Sequence, residues 1–99
     1  MNILKQWSCF SFFGKKNDFN LAFTDPQLCG VVYGHPRFED GNYIITSKLI
    51  MVERRSIITQ SGSHYILEGE PELFWLEYCE KNNIPYDTEN PLAFLNFNN

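Results

Sequence analysis

Apolar and polar positions divide the chain into a β-rich middle and a helical end. Leu28 to Tyr33 is short, β-branched and aromatic, the composition of a strand. Gly34-His35-Pro36 interrupts it, because a proline has no N–H to give to a ladder. Asp40-Gly41 between apolar runs is a strong hairpin signal, since both positions tolerate positive φ. Tyr43 to Val52 is the longest strand candidate. Its first part, Tyr43 to Ser47, alternates only partly, whereas Leu49-Ile50-Met51-Val52 is apolar throughout and predicts a strand covered on both faces. Glu53-Arg54-Arg55-Ser56 reads as a charged turn and Ile57-Ile58-Thr59 as a returning strand. Gln60-Ser61-Gly62-Ser63 reads as a tight turn and His64 to Leu67 as the last strand, so the middle is a meander.

From Glu70 onward the period changes to that of a helix. Proline suits a first helical position, and Glu70 and Glu72 suit the positive end. Phe74, Trp75, Leu76, Tyr78 and Cys79 share one face, with Glu77, Glu80 and Lys81 on the other. Asn82-Asn83 and Pro85 end the helix. The tail from Pro85 to Asn99 predicts an irregular strap, or one helical turn after Pro91. The predicted fold is α+β: a curled four-stranded antiparallel meander, SH3-like or a half-open small barrel, covered by one C-terminal amphipathic helix.

Residues 28–99 form the expected domain, and residues 1–27 an aromatic N-terminal arm and loop. Asn20 to Phe23 fits a short helix or a strand equally. The arm carries Trp7, Phe10, Phe12 and Phe13 before Gly14-Lys15-Lys16. It packs on its own domain or on a second copy, which makes a homodimer through those four aromatics one expected arrangement. Aromatics beside lysines also suit a membrane surface. Lys5, Gln6, Ser8 and Ser11 break the apolar run that a secretory signal needs.

Ninety-nine residues allow one domain, and 43% apolar residues exclude a disordered chain. The longest apolar runs are far too short for a transmembrane segment. The net charge of −4 hides an asymmetry. Residues 1–65 carry seven basic groups and five acidic ones, whereas residues 66–99 carry Lys81 alone against seven carboxylates. That lacks the basic footprint of a DNA-binding domain but leaves a local basic edge around Lys48, Arg54 and Arg55. Three cysteines, Cys9, Cys29 and Cys79, form no CxxC pair, which argues against a disulfide scaffold or a zinc knuckle and for a reducing, cytoplasmic setting.

No motif dictates a chemistry. The densest polar segment, Tyr33 to Gly41, holds His35, Arg37, Glu39 and Asp40. One reading makes His35 an acid/base with Arg37 as anion clamp; another makes the segment a binding loop; the plainest is turn architecture. Ser61-Gly62-Ser63-His64 sets hydroxyls beside an imidazole, but neighbours along a strand point to opposite faces and nothing like G-x-S-x-G surrounds them. No ligand-type spacing, P-loop or GxGxxG is present, so neither metal nor cofactor is expected.

Val32-Tyr33-Gly34-His35-Pro36-Arg37-Phe38-Glu39-Asp40-Gly41, then Ile45-Thr46-Ser47, then Ser61-Gly62-Ser63-His64-Tyr65-Ile66-Leu67 resemble a group of small bacterial hypothetical proteins with the same Tyr-Gly-His-Pro-Arg-Phe, Asp-Gly, Thr-Ser and Ser-Gly-Ser elements. The helix and Asn83-Ile84-Pro85-Tyr86-Asp87 continue the resemblance, which covers residues 28–92. It implies a recurrent compact domain and no particular activity. The expected function is a non-enzymatic small binding protein that engages another protein, of inhibitor, immunity or accessory-factor type. Its expected contacts are Tyr33, His35, Arg37, Arg54, Arg55, Glu77 and Glu80. The alternatives are a nucleic-acid-binding small β-barrel using the local basic edge with Tyr33, Tyr43 and Tyr65, and a small enzyme centred on His35.

Overall fold

The computed structural model describes residues 1–9 and 26–95. Six strands, β1 (Asn2–Cys9), β2 (Leu28–Tyr33), β3 (Asn42–Ile45), β4 (Leu49–Glu53), β5 (Ser56–Thr59) and β6 (His64–Glu68), precede one helix, α1 (Leu73–Lys81). The strands form one mixed sheet in the order β3-β2-β1-β6-β5-β4. All pairings are antiparallel except that of β1 with β6. The expected four-stranded antiparallel meander is therefore a six-stranded mixed sheet, and its central parallel pair departs from an SH3-like meander.

Two local features account for the extra strands. Asn2–Cys9, expected in an arm outside the 28–99 domain, is an interior strand. Leu4 and Trp7 are three residues apart, a spacing that breaks strand alternation, yet both are fully buried. Gln6 at φ 50° lies in a register shift between Lys5 and Ser8, a bulge that turns both apolar side chains inward. Gly30 faces this bulge. A Cβ there would lie 2.8 Å from the Lys5 carbonyl oxygen and 3.1 Å from Trp7 Cα, so only glycine fits.

The second feature splits the long Tyr43–Val52 candidate in two. Thr46 N–H donates to Leu28 O, Thr46 Oγ1 accepts from Leu28 N–H, and Gln27 Nε2 donates to Thr46 O. Thr46 is pinned to β2, and the chain turns away after it. Residues 46–48 then join β3 to β4, the opposite edges of the sheet. Five strand spacings in a flat sheet span about 24 Å. Three linking residues reach at most about 14 Å. The sheet must curl, and Leu49 N–H reaches Pro26 O at 2.8 Å. It does not close, since β3 and β4 do not pair.

The concave face holds Leu4, Trp7, Leu28, Val32, Leu49, Ile57, Tyr65 and Leu67, with Trp75 and Cys79 of α1 and Ile84, Leu92 and Leu95 of the following strap in the same core. Trp75 stacks on Tyr78 and packs against Phe94. The helix starts two residues later than the proline suggested: Pro71 is buried and Glu72 is the N-cap, its N–H donating to Trp7 O. It ends where expected. Asn83 takes φ 57°, Ile84 N–H bonds to Cys79 O, and Asn83 N–H bonds to Glu80 O. That is a Schellman stop with asparagine in the left-handed position. Phe10, Phe12, Phe13, Asn20 to Phe23 and Phe97 lie outside the described residues.

Candidate functional site

The loop between β2 and β3 positions His35. Asp40 Oδ1 accepts from Gly34 N–H and closes the loop on itself. His35 is only 7% exposed. Its ring lies between Tyr65, stacked at 5.8 Å, and Phe38, tilted at 4.7 Å. Nδ1 accepts the Arg37 backbone N–H at 3.0 Å, so the neutral ring carries its proton on Nε2, which faces Ser63 Oγ at 3.4 Å. Burial, and then the Arg37 charge, hold the imidazole below its usual pKa. Both nitrogens are engaged, and aromatic rings cover the faces. His35 thus ties the β2–β3 loop to the β5–β6 turn. Arg37 itself is exposed.

The other imidazole also meets a hydroxyl, but not its sequence neighbour. His64 Nε2 lies 2.5 Å from Ser56 Oγ across the β5–β6 pair. Ser63 serves His35 instead, as expected for adjacent residues on opposite faces.

Arg54 and Arg55 have different fates. Arg55 is half-buried. Its Nε donates to Leu67 O at 2.8 Å, one terminal nitrogen to Thr88 O and the other to Gly69 O. The guanidinium joins the end of β6 to the C-terminal strap. Arg54 is exposed at φ 55° and edges an open pocket of about 270 Å³ with Val52, Asn90, Leu92, Ala93 and Leu95. Tyr33 is half-buried on the outer face with Lys5 Nζ 5.0 Å from its ring centroid, and Lys5 bridges to Glu68 at 3.1 Å. Glu77 and Glu80 are exposed on α1. The seven residues expected to make contacts lie on separate elements: Tyr33 on β2, His35 and Arg37 in the β2–β3 loop, Arg54 and Arg55 in the β4–β5 turn, and Glu77 and Glu80 on α1.

Sequence reasoning missed an apolar stripe. Tyr43 (59% exposed) and Ile45 (49%) lie on β3, Ile50 (53%) and Met51 (47%) on β4. These are the two sheet edges, on either side of the 46–48 link. By register Tyr43, Ile45 and Met51 all fall on the outer face. Interaction with the Cys29 side chain, and then burial, raise the Tyr43 pKa to about 12. The available signal is the lack of any charge from Tyr43 to Ser47, but edge position is invisible in a run of residues.

Among the described residues no three His, Cys, Asp or Glu side chains gather as metal ligands. No described helix is long and apolar enough to cross a membrane. No family model, curated protein or solved structure matches the chain, so its own geometry has to carry any functional reading.

Proposed function

We propose that this is a non-enzymatic protein-binding domain of inhibitor or accessory type, and that it meets its partner through the outer apolar stripe on β3 and β4. The observation that carries this reading is the exposure of Tyr43, Ile45, Ile50 and Met51 around a single three-residue link. Large apolar side chains gathered on one surface are the usual mark of a contact region. The polar candidates offer less. His35 is occupied by Arg37 N–H and Ser63, and Arg55 by three backbone carbonyls. Of the expected basic contacts that leaves Arg37, Lys48 and Arg54 exposed on separate loops, thin support for a nucleic-acid interface. A reducing, cytoplasmic setting belongs with the proposal, since all three cysteines are buried and burial pushes the Cys79 thiol up to about 11.

The test is capture from an extract of producing cells on the immobilised full chain. A partner held by the wild type is expected to be lost with Ile45→Lys plus Met51→Lys and kept with Glu77→Lys plus Glu80→Lys. The reverse pattern refutes the stripe and moves the contact to the acidic helix.

A further inference from the structure

We propose that the open pocket between the β4–β5 turn and the C-terminal strap binds a free α-amino acid with an aliphatic side chain. Arg54 takes its carboxylate, Glu53 its ammonium group, and Val52, Ala93 and Leu95 its side chain. The pocket takes Val52 rather than Met51 from β4, so this site does not depend on the outer stripe.

The lining is of two kinds. Val52 is half-buried, and Leu92 and Leu95 are buried, which makes an apolar floor. Glu53, Arg54 and Asn90 stand exposed around it. Among the described residues these three side chains have no hydrogen bond or ion pair; the salt bridge there joins Lys5 to Glu68. Arg55 next door shows the contrast, with its guanidinium taken up by three backbone carbonyls.

The backbone at Arg54 is a second, independent observation. Glu53 pairs directly with Ser56, which leaves Arg54 and Arg55 as a two-residue turn. Arg54 takes φ 55° there. Hairpins of this length ordinarily give positive φ to glycine, asparagine or aspartate. Strained backbone of this kind gathers at functional sites. Here it sets an unpaired guanidinium at the rim of a cavity.

Charge and size select the ligand. A lone carboxylate would meet Glu53 and a lone amine would meet Arg54, so a ligand carrying both charges suits both. A cavity of about 270 Å³ holds the liquid volume of about nine waters, about the count of non-hydrogen atoms in leucine. An aliphatic side chain on the floor removes apolar surface from water. The pocket is open to solvent, so so small a ligand is expected to bind at about millimolar concentration.

Titrating the isotope-labelled full chain with L-leucine and following its amide resonances reads this directly. Saturable shifts are expected at Val52, Glu53, Arg54, Asn90 and Ala93. Isocaproate and isoamylamine, which each lack one of the two charges, should bind at least about tenfold more weakly. Glycine, without the aliphatic body, should not saturate. Arg54→Gly should lower leucine affinity at least about tenfold while its urea midpoint stays at or above that of wild type, because glycine relieves the turn. Glu53→Gln should weaken binding in the same way, and Lys81→Gln, exposed on α1, should leave it unchanged. No saturation by about 50 mM leucine, shifts centred elsewhere, or undiminished binding in Arg54→Gly overturns the site. Isocaproate or isoamylamine binding as tightly as leucine overturns the choice of a doubly charged ligand, and a urea midpoint for Arg54→Gly well below wild type overturns the argument from strain.

Discussion

Arg55 sits where a charged hairpin tip would ordinarily face solvent, yet its guanidinium reaches three backbone carbonyls. Replacing it with methionine keeps much of the stem and removes all three bonds. The bond to Leu67 O is part-buried, and those to Gly69 O and Thr88 O are exposed. Hydrogen bonds contribute about 0.5–1.5 kcal/mol net, with more for charged donors and less where water replaces the partner. Assigning about 1.5 kcal/mol to the part-buried bond and about 0.5 kcal/mol to each exposed one gives about 2.5 kcal/mol. In a domain of this size that corresponds to a fall in Tm of about 10–20 °C. Arg55→Lys keeps the charge but not the fork, and should lose about 1.5 kcal/mol. Arg54→Met, next door and exposed, should stay within about 0.5 kcal/mol of wild type. Urea unfolding followed by circular dichroism measures all three. Hydrogen exchange at Asn90, Ala93 and Leu95, whose amides bond within the strap, should quicken in Arg55→Met before global unfolding. If Arg55→Met costs no more than Arg54→Met, the clamp does not hold the strap and the reasoning is wrong.

Two further outcomes follow from the same geometry. His35 has a folded pKa below its usual 6.5, so the native state binds fewer protons than the unfolded chain. Its contribution is complete above that value and is lost as pH falls through 6.5 toward the folded pKa. The urea midpoint should therefore drop between about pH 8 and pH 5 in wild type, and less in His35→Asn, which retains an acceptor for Arg37 N–H without titrating; equal slopes would rule His35 out as the source. Gly30→Ala should destabilise by about 1–3 kcal/mol, because its methyl meets the Lys5 carbonyl and Trp7 Cα; an unchanged denaturation midpoint would show that the bulge yields freely.

The turns and the helix were readable because their signals are local. Asp40-Gly41, Ser61-Gly62, Asn82-Asn83 and the apolar face around Trp75 and Cys79 all do what their residue types favour. β1 was not readable, because Gln6 hides the alternation that Leu4 and Trp7 would otherwise show. Its parallel pairing with β6 joins residues more than 60 positions apart, and no short window carries that information. The split at Thr46 depends on where the Leu28 N–H and C=O lie. The candidate contacts suffered in the same way: Arg54 and Arg55 are identical in sequence terms, and only the carbonyls of Leu67, Gly69 and Thr88 tell them apart.

The central place of β1 has a consequence for how the chain is made. Asn2–Cys9 is synthesised about 60 residues ahead of His64–Glu68, yet the two lie side by side. At about 5–20 residues per second, β1 waits roughly 3–12 s with one long edge unmatched. During that interval β2 and β3 can dock on its other side, leaving a three-stranded nascent sheet whose open flank is the future middle of the protein. On this order of synthesis the β4–β5–β6 array is the last part of the sheet to reach that flank. The step is vulnerable to any competing strand, and sequence changes that slow the Glu53–Ser56 or Thr59–Ser63 turns should lower the yield of folded protein more than its final stability.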